Sequence, residues 1–93
     1  MRIPALSVEY LHVAVTANVT LTALTVEMAV IRDGTALSSS DFHTAAWSAG
    51  EAVMLVGPGQ TVTLTAGLSY NVYVRVASSP EIPVMRAGIV YAE

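Results

Sequence analysis

The residues that could act as acids, bases or metal ligands are few and lie far apart in the sequence. There are two histidines, His12 and His43, and no cysteine. His43 follows Asp41 by two residues, but a metal site normally needs three or four ligands. Positions an odd number of residues apart in an extended strand point to opposite faces, so a pair between Glu9 and His12 is disfavoured. Neither histidine is predicted to bind a metal or to take part in catalysis.

Sequence motifs for nucleophilic catalysis and for phosphate binding are absent as well. A nucleophilic serine needs an adjacent base, and no Gly-x-Ser-x-Gly turn occurs in the chain. The stretch Gly57-Pro58-Gly59 lacks the lysine and the helix that follow a phosphate-binding loop, so we interpret it as a tight turn. The carboxylates that glycoside chemistry would require are on different predicted strands and turns: Glu9, Glu27, Glu51 and Glu81. We therefore predict that the protein is not an enzyme and uses no cofactor.

The composition limits the classes of partner. The 93 residues allow one domain, predicted to span residues 6–93 after an extended arm of residues 1–5. The net charge is −3 and the four arginines are dispersed, so no basic patch for nucleic acid is expected. No run reaches the roughly 18 apolar residues of a membrane span. Pro4 interrupts the apolar start of the chain, so no signal peptide is expected.

Charged residues are scarce for so small a domain. They make up 12% of the chain, against about 25% in a typical globular protein. Low charge on a small domain leaves apolar atoms at the surface, which is typical of an interaction site. A biased genome composition is the alternative explanation, and it accounts for the absence of lysine better than for the shortage of all charges.

The elements that would position any site are short strands. Turn signals recur at intervals of roughly 8–12 residues, a spacing typical of a β-sandwich or barrel. Apolar residues between these turns predict seven or eight strands, with a possible bulge at Gly88. The predicted strands are residues 6–15, 18–22, 26–32, 45–47, 52–56, 61–65, 70–76 and 84–91.

A polar stretch separates the first strands from the later ones. Asp33-Gly34 predicts a turn, because both residues tolerate positive φ. Residues 35–43 contain three consecutive serines and predict an exposed loop. Within this loop, Ser40 or Asp41 could cap a short helical turn.

Residues 64–76 give the strongest indication of the fold. A strand ends there, the chain turns at Gly67, and a new strand begins at Tyr70, with apolar residues at every second position. Immunoglobulin-like and fibronectin-like β-sandwiches turn a corner in this way, and the tyrosine hydroxyl bonds to nearby backbone. Tyr70 should face inward with the predicted inter-sheet core, which consists of Val19, Leu21, Val26, Met28, Val30, Val62, Leu64, Val72, Val74 and Val76.

Three groups of residues are candidates for an interface. The alternation turns Asn71, Tyr73 and Arg75 outward together, either as a contact face or as a solvated sheet face with an ordinary Tyr–Arg pair. Trp47 is either a core residue, which is the preferred interpretation, or an exposed contact. The third group is the arm, which Pro4 keeps extended and which could dock onto a neighbour. Its candidate contacts are Arg2, Ile3 and Pro4.

The C-terminal third of the chain resembles a known family. The corner followed by Val74-Arg75-Val76-Ala77-Ser78-Ser79-Pro80-Glu81-Ile82-Pro83-Val84 is similar to the C-terminal half of small immunoglobulin-like proteins of tailed bacteriophages. The Ala-, Val- and Thr-rich, lysine-free composition is similar to phages of actinobacterial hosts. The likeness covers residues 64–90. It implies a virion component, such as a capsid decoration protein, a neck component or a tail-associated module, and brings no catalytic residues.

These observations predict a structural protein that is made in the host cytoplasm and resides in the virion. Its partners would be capsid or head–tail proteins and further copies of the same chain in a symmetric array. The alternative is a module that binds host-surface carbohydrate or protein through residues 38–43 and Trp47. An accessory module of the tail tube or baseplate is a third hypothesis, and the sequence does not separate it from the first.

Overall fold

The protein is built from β-strands arranged in two sheets. The computed structural model describes residues 1–15, 24–77 and 81–93, and these residues form eight strands and one short 3₁₀ helix at Ser39–Asp41. The strands are β1 (Arg2–Ile3), β2 (Glu9–Ala14), β3 (Thr25–Arg32), β4 (His43–Thr44), β5 (Ala46–Ser48), β6 (Glu51–Val56), β7 (Ser69–Ala77) and β8 (Val84–Ala92).

The two sheets differ in size. The larger has five strands in the order β1-β8-β7-β3-β4, and the smaller has three in the order β2-β6-β5. Every pairing between these strands is antiparallel except that of β1 with β8, which is parallel. The all-β architecture with two sheets agrees with the prediction from the sequence.

The core lies between the two sheets and follows the predicted alternation. In β7, Tyr70, Val72, Val74 and Val76 are all buried. Of the other predicted core residues, Val30 is only half-buried, and the rest that the structure describes are buried: Val26, Met28, Val62 and Leu64. The predicted core residues Val19 and Leu21, their strand at residues 18–22, and residues 78–80 lie outside the described part of the chain.

The predicted corner is present, but the strand before it is not. Thr65 N–H donates to the Tyr70 hydroxyl at 2.8 Å, the side-chain-to-backbone bond expected of a tyrosine corner. The predicted strand at residues 61–65 is wrong, since only Val62 forms an isolated bridge, to Val56. The reason is topological, because this segment carries the chain from β6 in one sheet to β7 in the other. Val62 and Leu64 still point into the core.

Two tight turns reverse the chain at the ends of strands. Thr35 N–H donates to the Arg32 carbonyl at 3.0 Å, which places Asp33 and Gly34 at the centre of the predicted turn. Ala49 and Gly50 join β5 to β6 and both have positive φ, 51° and 82°. Positive φ at both central residues is the mark of a type I′ hairpin.

The helical turn within the polar loop begins earlier than expected. Its N-cap is Ser38 rather than Ser40 or Asp41. Ser38 Oγ accepts from Ser40 N–H at 3.4 Å, and Asp41 Oδ2 accepts from Ser38 N–H at 2.8 Å. This reciprocal pair forms a capping box. The helical turn ends at Asp41. Phe42 has an extended backbone, and β4 begins at the next residue, His43.

Candidate interaction surface

The outer face of the five-stranded sheet contains the predicted trio Asn71, Tyr73 and Arg75, and internal contacts occupy much of it. Arg75 Nε donates to Glu27 Oε1 at 3.0 Å across the β3–β7 pair. The Arg75 guanidinium also lies 4.3 Å from the centroid of the Phe42 ring. Its Nη1 donates to Ser39 Oγ at 3.1 Å. The polar loop is therefore held against this sheet by Arg75.

Asn71 is part of a second polar cluster on the same face. Its side chain is only 8% exposed, although the alternation turns it away from the core. Asn71 Nδ2 donates to Asp33 Oδ1 at 3.2 Å, and Arg86 Nη2 donates to Asn71 Oδ1 at 2.9 Å. Both polar atoms of the Asn71 amide thus have partners within the chain. Tyr73, on the strand between the two clusters, is half-buried.

The N-terminal arm is integrated into the fold at Ile3. β1 pairs with the end of β8, where Arg2 lies opposite Tyr91 and Ile3 opposite Ala92. The Ile3 side chain is 3% exposed and belongs to the inter-sheet core. Arg2 and Pro4 are exposed, and the Arg2 guanidinium stacks on the Tyr91 ring at 5.0 Å. Of the three candidate contacts in the arm, Arg2 and Pro4 are therefore accessible to a neighbour and Ile3 is not.

Trp47 lies against the core, at the side of the three-stranded sheet that faces the other sheet. It pairs with the buried Ala52 of β6 and is itself half-buried. The indole Nε1 donates to the Leu24 carbonyl at 2.8 Å. The polar loop of residues 38–43 contacts the opposite side of the five-stranded sheet through Arg75. The structure does not bring Trp47 and this loop together into one site.

His12 has a carboxylate neighbour that the sequence reasoning missed. His12 Nδ1 lies 3.2 Å from Glu51 Oε1, and both side chains are about half exposed. Glu51 of β6 lies opposite Ala14 of β2, which is two positions from His12. The contact between His12 and Glu51 is therefore diagonal across the β2–β6 pair. Such pairs depend on strand register, which an isolated strand does not encode. In the described part of the chain, no group of three or more His, Asp or Glu side chains could hold a metal ion.

The exposed large hydrophobic residues of the described part of the chain lie in two segments. Within the described residues, every large hydrophobic residue in the exposed class falls in residues 1–10 or 82–89. These side chains are Met1, Leu6, Val8, Tyr10, Ile82, Val84, Met85 and Ile89. The sequence indicated that apolar surface would be exposed, but the location required the fold, because strand alternation alone does not show which edges lack a neighbour.

The two segments border the same opening at one side of the sandwich. β2 is an edge of the smaller sheet, and β8 is followed outward only by the two-residue strand β1. One hollow in this opening is lined by residues of both strands, including Leu11 of β2 and Ile89 of β8, and by Val72 of β7. An adjoining hollow is lined by Val13, Val74 and Met85 among others. Among the residues that the structure describes, no acidic residue lines either hollow. Of the exposed large hydrophobic residues, Met1, Met85 and Ile89 line these hollows. We call the opening, with these three residues and the adjoining edge of β8, the open side.

Comparison with known proteins gives no relative. No protein-family model matches the sequence, and no curated protein or solved structure matches it significantly. No helix in the described ranges is both long enough and apolar enough to cross a membrane.

Proposed function

We propose that this protein is an immunoglobulin-like structural subunit of a tailed-phage virion. It would bind capsid or head–tail proteins, and further copies of itself, through the open side. Its role would be to add stability to the particle by burying surface that neither partner buries alone. Of the candidate contacts predicted from the sequence, the exposed Arg2 and Pro4 would extend this surface beside β8.

Strand order supports the immunoglobulin-like assignment. In such sandwiches one sheet contains strands B, E and D, and the other contains C, F and G with an added C′ strand in variable-type domains. The orders β2-β6-β5 and β4-β3-β7-β8 correspond to these two sets. The corner at Tyr70 falls at the start of the strand equivalent to F, as in that family. The chain departs from antibody domains in having no cysteine and in carrying Trp47 on the D-equivalent strand.

The observation that carries the functional proposal is the grouping of exposed apolar residues on the open side. Scattered surface hydrophobics are ordinary, but a contiguous apolar patch marks an interaction site. Here the exposed residues Met1, Met85 and Ile89 come from two chain segments and line two adjoining hollows of one opening. A stable interface buries about 1,200–2,000 Å² in total, and the surface of the chain is 5441 Å². About half of that buried area, roughly 600–1,000 Å², would lie on this chain.

The test uses purified particles and the purified chain. Mass spectrometry of virions from a phage that encodes this sequence should detect the chain at a copy number that matches a capsid or neck symmetry. Particles that lack the chain should bind it in a co-sedimentation assay. A Met85→Lys variant, which places a charge on the open side, should bind less, and a Thr44→Lys variant on the far edge of the five-stranded sheet should bind normally. Absence of the chain from virions, or binding to a glycan array instead, would contradict the proposal.

A further inference from the structure

We propose that residues 82–88 form a strand-pairing site for a second copy of the same chain. The two copies would join antiparallel, edge to edge, across a twofold axis at Met85. The larger sheets of the two molecules would then form one continuous sheet. This inference rests on the proposed assembly function for its biological purpose, but its geometry comes from β8 alone.

In the described part of the chain, the upstream half of β8 has a neighbouring strand on one side only. β1 covers β8 only from Ile89 onward, through bonds such as that from the Met1 amino group to the Ile89 carbonyl. Among the described residues, none pairs with residues 84–88 on that side. The side chains there are exposed on both faces of the strand, Val84 by 46% and Met85 by 41%. Both the backbone edge and the flanking apolar atoms are thus accessible to another strand.

The backbone groups of alternate residues indicate which atoms a partner would meet. Val76 N–H donates to the Pro83 carbonyl at 3.2 Å, so the peptide groups of Pro83 point toward β7. Groups of successive residues in a strand point to opposite sides. The N–H and C=O of Val84 and Arg86 therefore point to the free edge. The missing N–H of Pro83 lies on the β7 side and removes no donor from that edge.

These groups fit a second copy in one register. Val84 of one molecule and Arg86 of the other form a pair that exchanges both backbone hydrogen bonds, and the twofold axis repeats the pair. Met85 then faces Met85 of the other copy in the intervening pair, where Cα atoms are only about 4.5 Å apart. Arg86 lies opposite Val84 rather than another arginine, so the repulsion of like charges directly across the strands is avoided.

Features that normally protect an edge strand here limit the length of the pairing instead. β8 has a bulge after residue 86, where Val72 pairs with Gly88 and Tyr73 with Arg86. Bulges interrupt the ladder of an edge strand. The Arg86 side chain bonds to Asn71 on the outer face and does not have to leave it. A short, self-complementary contact gives a closed dimer rather than an open filament.

The absence of cysteine allows a direct test by single-cysteine cross-linking. A Met85→Cys chain should form a disulfide-linked dimer under mild oxidation, because facing Cα atoms at about 4.5 Å lie within disulfide range. A Val84→Cys chain is the matched control. In that variant each substituted residue would lie one position from the axis, on opposite sides of it. The two would be offset by two positions along the strands, with Cα atoms more than about 7 Å apart, and should not cross-link.

A backbone substitution separates hydrogen bonding from side-chain packing. Val84→Pro removes a donor that no described residue uses in the monomer, and should weaken dimerisation at least about tenfold. Val84→Ala keeps the donor and should weaken it less. Equal cross-linking of both cysteine variants, or a chain that stays monomeric at all concentrations, would overturn the proposed pairing. If the monomeric Val84→Pro chain still binds particles, the virion role stands and only the self-pairing needs this edge.

Discussion

The outer face of the five-stranded sheet and the open side differ in whether their side chains and backbone groups have partners within the chain. On the outer face, Arg75 binds Glu27, Phe42 and Ser39, and Asn71 binds Asp33 and Arg86. On the open side, Met1, Met85 and Ile89 are exposed and line the opening, and the adjoining backbone edge of β8 has no described partner.

The difference separates residues that stabilise the fold from residues that are available for assembly. A polar cluster whose donors and acceptors are internally paired gains little from a new partner, because binding would first have to break those bonds. An exposed apolar edge gains both hydrophobic burial and hydrogen bonds from a new partner. The sheet face that the alternation marks as outward is therefore a weaker candidate interface than the strand edge.

The largest contrast should come from two methionines given the same substitution. Met28→Ala removes a side chain that is fully buried and should lower the free energy of unfolding by about 2–5 kcal/mol. Met85→Ala, on the open side, should change it by less than about 0.5 kcal/mol and weaken self-association instead. Urea denaturation and sedimentation velocity on both variants measure the two effects. Equal losses of stability would remove the distinction.

Arg75→Ala should have the next largest effect. It removes the stacking on Phe42, the ion pair with Glu27 and the bond to Ser39 together. We expect a loss of about 1–3 kcal/mol in unfolding free energy, without a change in association. Arg75→Lys, which keeps the charge but loses the planar guanidinium, should recover only part of the loss. Full recovery would mean that stacking and the forked geometry contribute nothing.

Tyr70→Phe tests the corner that joins the two sheets. The substitution deletes the hydroxyl that accepts from Thr65 N–H while it keeps the buried ring. The free energy of unfolding should fall by about 1 kcal/mol, the cost of one such bond. Denaturation of this variant beside Tyr91→Phe, whose hydroxyl has no described hydrogen-bond partner, provides the comparison. Identical losses in both would contradict a special role for Tyr70.

The smallest effect is expected for the His12–Glu51 pair. Both side chains are about half exposed, and surface ion pairs of this kind contribute about 0–1 kcal/mol. Glu51→Gln should therefore leave the stability of the protein nearly unchanged in a thermal melt. A fall as large as that of Arg75→Ala would mean that the pair is structurally important.

The sequence predicted local features well and relations between distant segments poorly. Alternation in residues 70–76 correctly placed Tyr70 inward, because a strand on a packed sheet has only two faces. The same alternation correctly turned Asn71 away from the core but could not show its burial, which depends on Asp33 and Arg86 from two other segments. The strand predicted at residues 61–65 failed because apolar alternation also suits a segment that crosses between sheets.

The candidate site was the least predictable part. Low charge correctly indicated exposed apolar surface, but its position depends on which strands become edges. Because β1 pairs with the end of β8, residues 84–88 have no described partner on that side, and no local pattern encodes such a short parallel pairing.

The measurement that tests the central claim most directly is analytical ultracentrifugation of the full chain over a wide range of concentration, with Met85→Lys and Thr44→Lys beside it. If the open side is the assembly surface, the unmodified chain and Thr44→Lys should associate with the same dissociation constant, and Met85→Lys should remain monomeric. If all three chains remain monomeric, or if Thr44→Lys weakens association as much as Met85→Lys, the assembly surface lies elsewhere and the account is wrong.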